Sequence, residues 1–270
     1  MLAEIDLSDG FWRMIVEEEA KWNFAYVIPD PPGTPPRLVV PSALQTGWAE
    51  NPAYFCVATE TGQYLIHHKV EQKVLLPIHS LEIYMRPTKT PKRSLEERPQ
   101  YSIFVYLDDF IGTAVENASG KLLDSISKAD FYGIQRIPPP PEVTGNTGGK
   151  YPIYIKKMQK GDARWITEKE IVGFLVDGKA KTFTIPNIKA EDIVAEIRKI
   201  LKKKWIPLKR YLRIIGNLRH VAIILPSTKG LFLPINKALK GGHPIIGLGN
   251  ISEIRVALLN LATMVTSLAA

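Results

Sequence analysis

Ser102-Ile103-Phe104-Val105-Tyr106-Leu107-Asp108-Asp109-Phe110-Ile111-Gly112-Thr113-Ala114-Val115 sets two short apolar runs on either side of adjacent carboxylates. Apolar, β-branched and aromatic runs of this length read as strands, so the stretch predicts a hairpin with the acidic pair at or near its turn. The turn lacks the Asn-Gly or Asp-Gly that tight hairpins favour. Two like charges side by side repel, and a site that tolerates them is often one that holds a divalent cation. A solvated Asp-Asp turn is the commoner reason for such a pair taken alone, because Asp is frequent in turns.

Two further blocks precede it. Near the N-terminus, Ile5 and Leu7 flank Asp6 in alternation, so Asp6 projects from one face of a short strand, with Asp9-Gly10-Phe11 just beyond. Val39 to Gly47 reads as a Pro- and Gly-bounded loop. It leads through Trp48-Ala49-Glu50-Asn51-Pro52-Ala53-Tyr54-Phe55-Cys56 into a helix, with Pro52 suited to the first turn.

In this order, the three blocks resemble the palm of a reverse transcriptase of the kind found in LTR-retrotransposon and retroviral polyproteins. Leu2–Phe11 is similar to the strand carrying the first catalytic aspartate, and the Gly47-Trp48-x-x-x-Pro52-Ala53-x-Phe55 spacing to the template- and nucleotide-contacting segment. Tyr106-Leu107-Asp108-Asp109 is similar to the Tyr-x-Asp-Asp box. Glu170 to Gly178 resembles the primer-grip hairpin, and Leu212 to Arg219 the helical segment after it. The resemblance runs from about residue 2 to about residue 240.

It implies an α+β fold: a polymerase palm of antiparallel sheet with packed helices, then a grip hairpin and a basic helical region. The expected divisions are 1–136 for the palm with an inserted loop, 137–152 for a Pro/Gly linker, 153–186 for the grip strands and 187–270 for thumb- or connection-like helices. The family's fingers precede the first motif, and this chain begins five residues before Asp6. The resemblance therefore implies a piece of a longer polyprotein, without fingers or RNase H parts.

The chemistry implied is two-metal nucleotidyl transfer, with two Mg²⁺ ions roughly 3.5–4 Å apart and Mn²⁺ as a substitute. Asp is the residue type such hard cations want. By resemblance, Asp6 and Asp108 bridge the metals and Asp109 supports them. Phe11 lies under the sugar and excludes a 2′ hydroxyl, or else is a core aromatic. Gly47, Trp48 and Asn51 lie near template and nucleotide. The family has Gln immediately before the Gly, whereas Thr46 stands here and Gln45 is one residue earlier. Tyr106 supports the primer end or packs across the strands. Phe174 and Leu175 belong to the grip or to the core. The implied partners are an RNA or DNA template, a DNA primer and deoxynucleoside triphosphates.

Composition is compatible with this. The 270 residues carry a net charge of +8, unevenly placed. Residues 1–60 hold three basic and nine acidic side chains, while 150–242 hold 21 basic and seven acidic. Between Arg198 and Arg219 there are nine Lys/Arg and no acid, including Lys202, Lys203, Lys204, Lys209, Arg210 and Arg213. Such a block attracts phosphate backbones without reading sequence, or forms a solvated helix face. A catalytically inactive remnant that binds nucleic acid through residues 198–219 is the alternative reading.

The single cysteine, Cys56, excludes an internal disulfide, and its apolar helical setting suits packing. His67, His68 and His79 show no metal-ligand spacing. The acids within the first six residues leave no room for a signal sequence, and the apolar tract from Val256 to Ala270 is too short and polar for a membrane span. These features predict an intracellular protein, in a cytoplasmic particle or the nucleus. Pro138–Pro141 with Gly145–Gly149 reads as a linker, and Arg86–Pro99 as a surface insertion. Further on, strands are expected at Ile171–Val176 and Ala180–Ile185 around Asp177-Gly178. Helices are expected at Ala190–Lys204 and Leu208–Leu225, with Pro207 as a breaker, and at Ser252–Leu268.

Overall fold

The computed structural model describes residues 1–29, 31–96, 98–137, 152–240, 243–248 and 252–269. The expected Pro/Gly linker between Pro138 and Gly149 lies outside the described residues. The chain divides into two units, Met1–Thr167 and Glu168–Ala270, each with its own apolar core. Helices and antiparallel sheets make up both, which is the α+β class expected. Residues 153–167 belong to the first unit, not with the strands that follow.

The first unit contains β1 (Leu2–Asp6), β2 (Tyr26–Ile28), β3 (Arg37–Val39), α1 (Asn51–Glu71), β4 (Arg93–Ser94), β5 (Gln100–Tyr106), β6 (Asp109–Asn117), α2 (Leu122–Ile134) and α3 (Ile155–Lys160). β6 is the middle strand, antiparallel to β1 on one side and to β5 on the other, with β4 added parallel at its end. Its burial alternates: Phe110, Gly112, Ala114 and Glu116 face inward and meet α2 and Trp165. Buried Glu116 has a specific task there. Its Oε1 accepts from the Leu122 amide at 2.8 Å and so caps α2 from the sheet.

Neither outer strand is left open. Gln63 of α1 donates to the Ile103 carbonyl of β5 at 2.7 Å. On the other side, residues 152–166 pair with β1 at both ends: Ile166 N donates to Leu2 O at 3.0 Å, Tyr154 N to Asp6 O at 2.9 Å and Ser8 N to Pro152 O at 2.8 Å. Pairing of this kind along β1 satisfies backbone groups on that edge and hinders pairing with other chains, while on β5 the helix reaches the Ile103 carbonyl.

α1 enters the core through Phe55, which is fully buried and stacks on Phe11 with ring centroids 4.4 Å apart. The approach depends on Gly10: a Cβ there would sit 2.6 Å from the Phe55 ring. α2 buries Leu122, Leu123, Ile126, Ala129 and Ile134 on a helical face that also carries Asp130. Asp130 is 4% exposed, its Oδ1 has no hydrogen-bond partner, and burial holds its pKa well above the ordinary carboxylate value.

The second unit contains β7 (Glu168–Ile171), β8 (Phe174–Asp177), β9 (Thr182–Thr184), α4 (Asn187–Leu201), β10 (Trp205–Pro207), α5 (Leu208–Val221), α6 (Phe232–Leu239), β11 (Ile245–Gly247) and α7 (Glu253–Ser267). β7, β8 and β9 form an antiparallel meander, and β10 pairs with β11. The expected single strand Ile171–Val176 is instead interrupted by a turn at Val172-Gly173, with φ of +48° and +77°. Two positive φ values in a two-residue loop match the right-handed twist of a hairpin. Val172 hid the turn, because a β-branched residue rarely accepts that conformation. Ile193, Ile197 and Ile200 of α4 are buried with Tyr211, Ile214, Ile215 and Leu218 of α5 and Leu258, Leu261 and Val265 of α7 in one core. Pro207 ends β10 and stands at the N-terminus of α5. No described helix is long and apolar enough to cross a membrane.

Two outcomes follow. The folded chain keeps a proton on Asp130 that the unfolded chain releases above its ordinary pKa, so stability falls as pH rises from there toward the raised value. Asp130→Asn removes this titration. Thermal unfolding will show the variant more stable at about pH 8, by about 1–3 kcal/mol, and nearly equal to the parent at about pH 4. Gly10→Ala will destabilise the chain by about 1–3 kcal/mol in denaturant titrations, since the Phe55 ring has nowhere to retreat.

Candidate active site

Strand register assembles the acidic residues. Asp6 of β1 lies directly opposite Asp109 of β6, and Asp109 lies opposite Tyr106 of β5. Residues opposite one another share a face, so Asp6, Asp109 and Tyr106 stand on one side of the sheet while Ile5 and Phe110 are buried on the other. The turn between β5 and β6 is Leu107-Asp108, with Leu107 at φ +55°. A non-glycine residue in that region is uncommon and costs about 1 kcal/mol or more. The Leu7 amide donates to the Asp108 carbonyl at 2.9 Å, tying the turn to the end of β1.

The charges are relieved in two ways. Burial, and then the neighbouring Asp108, push the Asp109 carboxyl up to about 6. Asp6, 12% exposed at its side chain, is ion-paired with Lys157 of α3. The ammonium of Lys157 lies 5.9 Å from the centre of the Tyr154 ring. Among the described residues, no group of three or more His, Cys, Asp and Glu side chains gathers into a metal-holding cluster. The backbones of Asp6, Asp108 and Asp109 adjoin, while the Asp6 carboxylate is turned to Lys157. The carboxylate oxygens of these acids are of the donor type a hard divalent cation takes, but in this arrangement they are not gathered around one point.

The neighbouring residues fall into two groups. Phe11 is half-buried and stacks on Phe55; just before it Asp9 has φ +57°, and just after it the buried Arg13 donates to the Ser8 carbonyl at 2.6 Å. Desolvation lowers the Arg13 pKa, and Asp9 opposes that shift. Gly47 has φ +102°, a conformation that favours glycine. Trp48 is exposed and meets Phe24 edge-on at 5.5 Å, beside an open groove of about 810 Å³ shared with Leu44 and Tyr54. Asn51, by contrast, is fully buried. It donates to the Gln45 carbonyl at 2.6 Å and holds the loop onto the start of α1. Gln45 is itself buried, donating to Ala43 O at 3.0 Å. Tyr106 is 47% exposed.

In the second unit, Phe174 is buried and stacks on His220 at 4.6 Å, and Leu175 is half-buried. Lys189 donates to the Gly173 carbonyl at 3.1 Å. Burial, then the Lys189 charge, lower the His220 pKa, while a hydrogen bond with the Val172 backbone opposes this. Lys202, Lys203, Lys204, Lys209 and Arg213 are exposed. Arg210 instead pairs with Glu196 at 2.8 Å. Sequence reasoning missed Lys157, Arg13, Lys189 and His220. The only signal for Arg13 was its rarity, as one of three basic residues in the acidic first 60.

No protein-family model matches the chain, and no curated protein sequence does. Its fold is similar to a solved structure, that of a foamy viral protease-reverse transcriptase dRH in complex with double-stranded DNA. The TM-score is 0.54 and the sequence identity 17%, over 98% of this chain. The chain spans 35% of the length of that protein. The likeness is one of fold: this chain folds like part of a retroviral reverse transcriptase.

Proposed function

We propose that this chain is the palm, primer-grip and thumb-like part of an RNA-directed DNA polymerase of the retrotransposon type, acting inside the cell. The observation that carries the reading is the register of Asp6 against Asp109, with Asp108 in the adjoining turn, in a fold like that of a reverse transcriptase. Asp6, Asp108 and Asp109 would hold two Mg²⁺ ions. When bound, such a pair supplies Lewis-acid activation of a primer hydroxyl and neutralises a triphosphate.

The chain's own residues do the placing. Phe11, fixed on Phe55, sets the floor under the sugar and leaves no room for a 2′ hydroxyl. Gly47 and Trp48 border the template and nucleotide, and buried Asn51 positions that loop. Tyr106, exposed beside Asp109, supports the primer end. The Val172-Gly173 turn, backed by Phe174 and Leu175, bears on the primer strand. Lys202, Lys203, Lys204, Lys209 and Arg213 attract the duplex backbone. The nucleic-acid part of this reading is supported by the neighbour's complex with double-stranded DNA. The second reading, an inactive remnant that binds nucleic acid, is favoured by one observation: the Asp6 carboxylate is engaged by Lys157.

Primer extension on an RNA template with Mg²⁺ separates the two. It is run with this chain and with a fingers segment joined ahead of Met1. Deoxynucleotide incorporation that Asp108→Asn lowers by at least about a hundredfold supports the polymerase. No extension in either form, or extension indifferent to Asp108→Asn, discards it. Duplex binding will weaken with salt in both readings. Replacing Lys202, Lys203 and Lys204 together by Ala will flatten the log–log salt slope by roughly 2 to 3.

A further inference from the structure

Lys157 has no part in the polymerase reading above, yet it holds the Asp6 carboxylate, which is only 12% exposed. Its position follows from the backbone. Residues 152–154 pair with the end of β1, through Ser8 N to Pro152 O at 2.8 Å and Tyr154 N to Asp6 O at 2.9 Å. α3 starts at the next residue, so its first turn brings Lys157 over the same strand end. The far end of the segment is tied down too, by the bridge between Leu2 and Ile166. The ammonium is therefore delivered to Asp6 by a strap fastened to β1 at both ends.

The two partners differ in freedom. Asp6 is 12% exposed at its side chain, and Lys157 is 45% exposed. A carboxylate so enclosed is costly to leave without a positive partner. A lysine that exposed, with four rotatable carbons and the Tyr154 ring 5.9 Å away, can leave Asp6 without disturbing the core. An ammonium on Asp6 and a divalent cation ligated by Asp6 oppose one another, because like charges at close range repel strongly where water is scarce.

We propose that Lys157 is a tethered counter-cation that neutralises Asp6 when no metal is bound, and that a divalent cation must displace it to load the carboxylates. The proposal rests on the metal-binding part of the function proposed above. It makes Lys157 a positioning residue: it keeps the acidic face folded and sets how much metal is needed to fill it.

Mn²⁺ binding to the full chain tests this, read as loss of the free-ion paramagnetic signal on titration and independent of any polymerase activity. Lys157→Met will bind Mn²⁺ about three- to tenfold more tightly than the parent, while Lys157→Arg, which keeps the charge, will match the parent. Thermal unfolding gives the other half of the cycle. Without metal, Lys157→Met melts below the parent, and saturating Mn²⁺ closes the gap. Equal Mn²⁺ affinity in parent and Lys157→Met, with binding that Asp108→Asn still abolishes, overturns the proposal and leaves the metal reading standing. Absence of Mn²⁺ binding in both proteins overturns the two together. A Lys157→Met protein that binds Mn²⁺ more weakly also overturns it, since the lysine would then be assisting the metal.

Discussion

The antiparallel pairing of β1 with β6 sets Asp6 opposite Asp109, and the candidate site depends on keeping that register. Side chains alternate along a strand, so a slip of one residue would exchange Asp6 for Ile5 or Leu7 on the site face. Burial of Ala3, Ile5 and Leu7 on the other face forbids the slip. The strand is also held from both sides, by β6 and by the pairing of residues 152–154 and 166. The apolar half of β1 thus fixes the position of its one acidic ligand candidate.

Holding three acids in place creates an electrostatic problem that the same scaffold answers locally. Asp108, on the turn, is partly exposed. Asp109, at the head of β6, is desolvated beside Asp108 and retains its proton to about pH 6. Asp6 is paired with Lys157. The three responses differ because the three environments differ, although the residue type is the same. The Leu107 conformation belongs to this arrangement: with φ +55° it closes β5 onto β6 through the two residues Leu107 and Asp108.

Much of the arrangement was legible because its signals are local. The apolar runs around Asp108-Asp109 set the hairpin, and Ile5 and Leu7 set the strand around Asp6. Pro52 marked the start of α1, and the isoleucine spacing marked α4. What was not legible came from tertiary contacts or from residues that break local rules. α2 carries Ser127, Lys128 and Asp130 among its apolar residues, so its face is not clean, and its cap comes from Glu116 on β6. The turn at Val172-Gly173 uses a residue disfavoured there. Lys157 meets Asp6 only because residues 152–154 return to β1, and no spacing in the sequence encodes that return. Asn51 showed the opposite failure: a polar residue in a promising motif is spent on holding the Gln45 loop.

The basic run of the second unit shows the same distinction between having a charge and presenting it. Arg210 is committed to Glu196, and Arg219 donates to Asn236 at 2.7 Å. Lys202, Lys203 and Lys204 follow the last turn of α4 and stand exposed beside Trp205, itself 60% exposed. Lys209 and Arg213 stand four apart on α5, on the same side of one helix. A phosphate backbone is attracted by charges that can reach it, and counterion release counts only those. Of the nine that the sequence supplies, Arg198, Lys199, Lys202, Lys203, Lys204, Lys209 and Arg213 are exposed and not committed to Glu196 or Asn236, so the proposed capacity of this unit for nucleic acid rests on these seven.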